Sequence, residues 1–561
     1  MQMTLGSWLR LTVSALAASS WLACSSAPRS SASGELAAFI DAFARPERRD
    51  LLGDMSADAF AEELRETRAF LDQLRLIDVL ELSVDERIDW RFAESILLGR
   101  EIEQDRIQSW KKDPRVYLQL RRIPLTIGRP GDPGEKVEEL LDRLEVIPVR
   151  LENGQRNLAV HVPRFQELSL FMAEGAIAIF DDDVARFADT VQDRRQELLD
   201  ASRAARSALE SFVAFLEKEL PGRPFADWAI GKETYDAMLK HQYMLPYDSD
   251  ALYEFGRREF DRTVREMEKV AERIDPSKTW RELVAEIKND YPEPARMIEA
   301  HQEWVDKARD HIVEKDLVPI PWQQSATVVP RSEYLRKTSY YGNFSRAHGA
   351  DENGVFAAEW MINPFEEQWD EKTKNEYLVE HDWGVIIVTA PHETYAGHHI
   401  QGLYQMHNPR KLRREFGISI FSEGWGLYNE HLMWETGFFP NDRIHLRHLQ
   451  LRLWRNARVV WDVGIHTGKM SYEEAISLLA DGVGFLRWAA QLEVDGSAQS
   501  PGYRIGYFMG MSAILKMREE FEAMTGEAFS LRDFHERLLK VGNMPPALMR
   551  EGLMAALAES S

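Results

Sequence analysis

The chain has 561 residues and a formal net charge of −23, with 44% hydrophobic and 29% charged residues. This composition is that of a globular protein and excludes a disordered one. A surface this acidic repels phosphate backbones, so no nucleic-acid partner is expected. A chain of this length buries roughly three quarters of its surface on folding, so it needs no disulfide bonds.

The N-terminus is typical of an exported protein. The apolar stretch Leu11 to Ala23 is too short to span a bilayer and has the form of a secretory signal peptide. It ends at Cys24, the only cysteine, in a context that resembles the acylated cysteine of bacterial lipoproteins. We therefore expect removal of residues 1–23, lipidation of Cys24 and a lipid-anchored tether over 24–34. The competing interpretation is ordinary secretion, with cleavage after Ala15-Leu16-Ala17.

The rest of the chain has the pattern of a mainly helical protein. Apolar residues recur every three or four positions in Ala57 to Leu76, Asp183 to Leu220 and Tyr253 to Ile274. No second region has an independent signature, so we expect one helical domain over residues 35–561. We divide it into an N-terminal lobe, 35–320, and a zinc-site lobe, 321–561.

Few segments favour other structure. Clusters of Pro and Gly predict loops at 122–134, 275–278 and 318–330. Asn153-Gly154 is compatible with a hairpin turn or with a helix. The single predicted strand, Gly354 to Ile362, is either a simple edge strand or a strand beside a cleft that binds substrate main chain.

The segment from His381 to His466 contains nine of the fifteen histidines, which indicates the chemical centre. Zinc peptidases often place two histidines four residues apart on a helix, with a glutamate beside the first as general base. Here Glu393 follows His392, but the next histidines are His398 and His399, and on a regular helix His398 lies about 240° round from His392.

A bulge or break at Ala396-Gly397 would restore the four-apart geometry for His398, because glycine tolerates a distorted backbone. The alternatives are that His399 is the ligand, or that these histidines are ordinary surface or core residues. Glu423, thirty residues after Glu393 in a second predicted helix, is the candidate third ligand. Three protein ligands with a fourth position for water are typical of catalytic zinc.

The run His-Glu-x-x-Ala-Gly-His-His-Ile-Gln, followed by Glu-Gly-Trp-Gly-Leu-Tyr-x-Glu, resembles a bacterial family catalogued as domain of unknown function 885. The resemblance covers nearly the whole mature chain, including Trp110 to Leu118, Arg458 to His466 and Ser500 to Tyr507. It implies a large two-lobed gluzincin-like metallopeptidase fold, mainly α, with a small β element flanking the cleft. It also implies one Zn²⁺ per chain, held by His392, His398 and Glu423. Two positions depart from the family pattern: Ala396 replaces Pro, and Tyr503 replaces the usual Gln.

Four further residues are candidates for supporting roles. Arg458, Asp462 and His466 recur every four residues and would share a helix face. In the functional interpretation, Asp462 orients a zinc-bound imidazole, Arg458 binds a substrate carboxylate and His466 donates to the transition state. The alternative is an ion pair with an uninvolved histidine. Tyr507 would stabilise the oxyanion, or is simply a packed aromatic residue.

Together these features predict zinc-dependent hydrolysis of peptide bonds in short or unfolded peptides, with Glu393 moving the proton. Ser25 after Cys24 favours the outer membrane, facing the periplasm, with the membrane as partner through the anchor. Two alternatives stay open: a zinc hydrolase of a non-peptide amide or ester, and a non-catalytic scaffold stabilised by zinc.

Overall fold

The computed structural model of the chain describes residues 31–44, 53, 55–128, 131–331 and 342–558. The predicted signal peptide 1–23 and Cys24 lie outside these residues. Helix α1 (Ala32–Phe43) begins inside the predicted tether, because Ser31 Oγ accepts a hydrogen bond from the Gly34 N–H at 3.2 Å and caps it. The last residues of the predicted tether are therefore helical.

Helices dominate the N-terminal part of the described chain. In chain order after α1, they are α2 (Ala57–Arg75), α3 (Val84–Glu101), α4 (Arg122–Gly128), α5 (Pro133–Glu145), α6 (Ile147–Asn157), α7 (Pro163–Ala178), α8 (Val184–Ala188), α9 (Arg195–Lys218), α10 (Lys232–Ala237), α11 (Ser249–Ile274), α12 (Trp280–Lys288) and α13 (Met297–Glu314). The predicted helices at 57–76 and 253–274 match α2 and α11. The predicted 183–220 helix is divided between α8 and α9.

The C-terminal part is also largely helical. Its helices are α14 (Glu371–Glu380), α15 (Trp383–Glu393), α16 (His398–Met406), α17 (Lys411–Glu415), α18 (Ser419–Glu435), α19 (Asp442–Thr467), α20 (Tyr472–Ser477), α21 (Arg487–Gln499), α22 (Gly506–Thr525), α23 (Leu531–Val541) and α24 (Pro546–Ala558). The prediction of a mainly helical fold is confirmed. Within the described residues, no helix combines the length and hydropathy needed to cross a bilayer.

Asn153-Gly154 lies inside α6, so the helical alternative for this dipeptide is the correct one. A Cβ on Gly154 would lie 2.8 Å from the Tyr117 ring and 3.1 Å from the Phe212 ring. The glycine therefore serves close packing between elements and not a turn.

One small sheet accompanies the helices. It consists of β1 (Gln324–Pro330), β2 (Asn343–Ser345) and β3 (Phe356–Ile362), in the spatial order β1-β3-β2. Strand β3 runs parallel to β1 and antiparallel to β2, with Phe344 opposite Trp360. The predicted strand at 354–362 is confirmed, but it is central in the sheet and is not an edge strand. The predicted loop at 318–330 contains β1, whose pairing partner begins about thirty residues later.

Helix α19 is buried along almost its whole length, from Ile444 to His466. Its buried arginines each face an acidic partner, since an unpaired buried charge is very costly. The pairs are Arg447–Asp382, Arg452–Glu266, Arg455–Glu430 and Arg458–Glu493. These pairs determine which helices can pack around α19.

Helices α18 and α22 cross closely beside it. A Cβ added to Gly424 of α18 would lie 2.4 Å from the Gly510 Cα of α22. Only glycines at the crossing allow this approach of two backbones. As a result Glu423 on α18 and Tyr507 on α22 line the same cleft.

Candidate metal centre

The connection between α15 and α16 positions two histidines. Helix α15 ends at Glu393 and α16 begins at His398, so the predicted break at Ala396-Gly397 is present. A Cβ on Gly397 would lie 1.7 Å from the His392 carbonyl oxygen, which leaves no room for any side chain. The tight reversal brings the rings of His392 and His398 to 4.9 Å between centroids, nearly perpendicular at 89°.

Glu423 completes a cluster with these histidines. Its Oε2 lies 3.8 Å from His392 Nε2 and 3.4 Å from His398 Nε2. The candidate ligand atoms all lie within 4.8 Å of one another, and this is the single such group of three among the described residues. Two imidazole nitrogens and one carboxylate oxygen are a donor set that suits Zn²⁺ at a catalytic site.

Glu430 contacts the ring nitrogen of His392 that does not face Glu423. His392 Nδ1 lies 2.8 Å from Glu430 Oε1, and Arg455 Nη2 lies 3.5 Å from the same oxygen. The Glu430 side chain is fully buried. With Nδ1–H donating to this carboxylate, Nε2 of His392 faces the cluster and would bind a metal in its unprotonated form.

The sequence assigned this supporting contact to Asp462, and that assignment is wrong. Asp462 Oδ1 instead accepts hydrogen bonds from the Tyr235 hydroxyl at 2.6 Å and the Gly502 N–H at 2.8 Å. Glu430 could have been found from its spacing. It lies seven residues after Glu423, almost two full turns along α18, and therefore on the same helix face.

Residues between these two glutamates support the break. A Cβ on Gly426 would lie 2.6 Å from His392 Cε1, so the ring lies directly against the α18 backbone. Trp425 Nε1 donates to the Ala396 carbonyl at 2.7 Å, and Asn429 Nδ2 donates to the Pro391 carbonyl at 2.7 Å. Where α15 ends, the carbonyls of Pro391 and Ala396 thus accept hydrogen bonds from α18 side chains, and Pro391 also accepts one from the Gly397 N–H at 3.1 Å.

The electrostatics of the cluster follow from this arrangement. Burial alone would lower the pKa of His392, but hydrogen bonds to Glu423 and Glu430 outweigh it and raise the pKa to about 9. The pKa of His398 is also raised, because the Glu423 carboxylate outweighs burial. For Glu423, burial is outweighed by both imidazoles, which hold its pKa well below the ordinary value. The carboxylate is therefore ionised and available as a ligand.

Two tyrosines of the Ser500–Tyr507 segment face the same cluster. The Tyr507 ring stacks near His392, at 6.2 Å and 18°. Burial and the negative charge of Glu423 raise the pKa of Tyr507, so its hydroxyl stays protonated at neutral pH. The Tyr503 hydroxyl donates to Glu423 Oε1 at 2.5 Å, which leaves Oε2 to face the two histidines. The departure from the family's glutamine thus contacts a candidate ligand directly.

His399 does not join the cluster. Its Nε2 lies 2.9 Å from Gln324 Oε1 of β1, which also accepts a hydrogen bond from the Tyr395 hydroxyl at 2.5 Å. Burial lowers the pKa of His399 to about 4, so the ring is neutral. The geometry therefore favours His398 over His399 as the ligand.

Arg458 and His466 both lie on α19 but outside the cleft. Arg458 is only 5% exposed. Its guanidinium donates to Glu493 at 2.9 and 3.0 Å and packs on the Tyr507 ring at 4.3 Å. It is thus committed to an internal partner and supports Tyr507, contrary to its predicted role with substrate.

His466 Nε2 lies 2.9 Å from the Ser497 carbonyl oxygen, and burial lowers the pKa of this histidine. The predicted donation to a transition state has no geometric support. Residues four apart on a helix differ by about 40° in direction around the helix axis. His466, eight residues after Arg458, is therefore rotated from it by about 80° and lies about 12 Å further along the axis.

The cluster opens on a cleft of about 570 Å³. Glu393 lines it, partly exposed, next to His392. Uncharged polar groups dominate the remaining walls, including Asn343, Gln401, Gln405, Ser422 and Asn543. Strand β2 contributes Asn343 and Phe344, so the strand beside the cleft is β2 and not the predicted β3.

Comparison with known proteins supports the fold without assigning an activity. A family model described as "Bacterial protein of unknown function (DUF885)" matches residues 38–553. A candidate lipoprotein of unknown function from Shewanella oneidensis has a similar structure, with a TM-score of 0.77 and 20% identity. A candidate lipoprotein from Colwellia psychrerythraea is similar with a TM-score of 0.74 and 17% identity. Both similarities cover 94% of this chain and 100% of the other. No curated protein sequence matches the chain.

Proposed function

The chain belongs to this bacterial family of unknown function, and we propose that it is a gluzincin-like zinc peptidase that cleaves short or unfolded peptides. The observation that carries the proposal is the cluster of His392, His398 and Glu423, with Glu393 beside it on an open cleft. A structural zinc site is closed by four protein ligands, whereas this group has three. This difference favours an enzyme over a scaffold stabilised by the metal.

His392, His398 and Glu423 would hold the ion, since their donor atoms are already gathered and the Glu423 carboxylate is ionised. When bound, zinc supplies Lewis acidity that polarises a carbonyl group and activates water. Glu430 contributes by fixing the orientation of the His392 ring.

Glu393 is the proposed general base. Its carboxylate lines the cleft one residue from a ligand, where it accepts the proton of the attacking water and delivers it to the leaving amine. Tyr507 is protonated and lines the same cleft, so its hydroxyl donates a hydrogen bond to the oxyanion. Strand β2 lies at the edge of the sheet beside the cleft, which suits main-chain hydrogen bonding to an extended peptide.

The proposed location is the cell envelope, with acyl chains on Cys24 anchoring the chain to the outer membrane on its periplasmic side. The sequence context of Cys24 supports this, and both similar structures are of candidate lipoproteins. Helix α1 starts eight residues after Cys24, so the folded domain lies within about 30 Å of the anchor.

Metal content tests the ligand set. The mature chain should contain about one zinc ion, and Glu423→Ala and His398→Ala should each lose most of it. His399→Ala is the matched control, because the neighbouring ring contacts Gln324 and not the cluster. Metal loss in the His399 variant together with retention in the His398 variant would show that the assignment is reversed.

Turnover tests the chemistry. We expect zinc-loaded Glu393→Gln to keep its fold and metal but to cleave a mixed short-peptide pool at least about 10²-fold more slowly, since it lacks the base. Chelation should stop wild-type cleavage and added zinc should restore it. Equal cleavage by wild type and Glu393→Gln would refute the mechanism. Absence of cleavage by a metal-loaded wild type would favour a non-peptide amide or ester, or the scaffold.

A further inference from the structure

Arg346 is the one arginine or lysine among the described residues that line the cleft. The side chain is exposed, and no described carboxylate forms an ion pair with it. The chain has 92 acidic and 69 basic residues, so the lack of a described carboxylate partner for Arg346 does not follow from a shortage of acidic groups. The two carboxylates on the cleft wall, Glu393 and Glu423, are assigned to the base and the metal.

The backbone places Arg346 close to the cluster. It directly follows β2, whose Phe344 ring lies 6.4 Å from the His398 ring. A Cβ on Gly402 would lie 3.7 Å from the Arg346 Cβ, so α16 packs against this residue with a glycine. Gly402 is one turn after His398, about 6 Å along the helix axis, which equals the length of about two extended peptide residues.

We propose that Arg346 binds a substrate carboxylate located within about two residues of the cleaved bond. A planar guanidinium with five donors matches a carboxylate in bidentate geometry, and no carboxylate of the described residues forms an ion pair with that of Arg346. Arg458, the sequence-based candidate for this role, is a poorer match because it does not line the cleft and its Nε and Nη2 already donate to Glu493. The inference rests on the proposed peptidase function, and it names its substrate class: peptides with a carboxylate near the scissile bond.

The carboxylate has two chemical sources, the peptide C-terminus and an Asp or Glu side chain. The best-cleaved short peptide would be prepared with a free C-terminus, as a C-terminal amide, and as an amide with one Glu near the cleavage site. For each form, kcat and KM are measured for wild type, Arg346→Ala and Arg346→Lys. Arg203→Ala is the matched control, because Arg203 is an exposed arginine on α9 whose partner is Asp200.

Loss of a charge-assisted hydrogen bond corresponds to about a tenfold to a hundredfold change in affinity. We expect amidation to raise the wild-type KM by that factor with little change in kcat, as for uniform binding. The effect should vanish in Arg346→Ala, be intermediate in Arg346→Lys and persist in Arg203→Ala. If amidation weakens binding only when Arg346 is present, the C-terminus is a source of the carboxylate. If amidation has no effect and the added Glu tightens binding only when Arg346 is present, the side chain is the source.

A second measurement separates this inference from the proposed function. For this test one short peptide is chosen without regard to its cleavage and prepared in the same three forms. Its binding to zinc-loaded Glu393→Gln, followed by fluorescence anisotropy, needs no turnover. Carboxylate-dependent binding that requires Arg346, without any wild-type cleavage, would reject the peptidase and leave the Arg346 site standing. Cleavage with identical preferences in wild type and Arg346→Ala would overturn the Arg346 assignment alone. If neither binding nor cleavage depends on the carboxylate, Arg346 is a solvated surface residue and the inference is wrong.

Discussion

Replacement of Glu430 gives the most direct test of how the candidate metal centre is supported. Its carboxylate is fully buried, accepts the His392 Nδ1–H at 2.8 Å and lies 3.5 Å from Arg455 Nη2. Glu430→Ala leaves the imidazole donor and the buried guanidinium without this acceptor. Breaking a buried ion pair on one side costs about 3–5 kcal/mol in the free energy of unfolding. Loss of an outer partner of a metal-bound histidine lowers metal affinity by about 10–100-fold.

The isosteric Glu430→Gln variant separates these two effects. It keeps an acceptor oxygen for His392 and the same volume, so the fold should survive while zinc affinity still falls by about tenfold. Glu435→Ala is the matched control on the same helix. Its carboxylate is bonded to Arg518 at 2.7 and 2.9 Å but its side chain is 28% exposed, so its loss should cost about 1 kcal/mol or less and leave zinc affinity unchanged.

Zinc affinity would be measured by competition with a chelator of known affinity, and stability by urea unfolding of the metal-free protein. Unchanged zinc affinity in Glu430→Gln and Glu430→Ala would refute the role given to this carboxylate. An equal loss of affinity in Glu435→Ala would show that the effect belongs to the helix as a whole and not to the His392 contact.

Two further predictions concern the neighbouring backbone and the anchor. Gly426→Ala should lower zinc affinity by at least about tenfold, because the added Cβ would lie 2.6 Å from the His392 ring, whose orientation is fixed by Glu430. Gly175→Ala, a helical glycine with no atom within 4 Å of the added Cβ, should keep its zinc, and retention by both variants would contradict the packing argument. Cys24→Ala should move the chain from the membrane fraction to the soluble one or leave it unprocessed. A wild-type chain found soluble with its N-terminus near Ala18 would instead support ordinary secretion.

Local pattern predicted that His392, His398 and Glu423 would lie together, because these candidate ligands come from two short motifs. The break before His398 followed from the mismatch between the six-residue histidine spacing and the helical period, together with the glycine at 397. Contacts between segments far apart in the sequence could not be predicted from such local motifs. Strand β1 pairs with β3 across about thirty residues, and its short segment, which ends in Pro330, looks like a loop. The roles given to Asp462 and His466 failed because a shared helix face does not specify the neighbouring helix that faces it.

The structure shows why one short motif on α18 is enough to build half of the centre. Glu423, Gly426 and Glu430 are spaced by three and four residues, so they form one stripe of the helix. Glu423 provides a candidate ligand carboxylate, Gly426 leaves room for the His392 ring against the backbone, and Glu430 accepts a hydrogen bond from that ring. Trp425 and Asn429, on the adjacent face, bond the carbonyls of the break between α15 and α16. His392 and His398 can therefore lie six residues apart, because contacts from α18 fix their relative positions and no single continuous helix has to carry both.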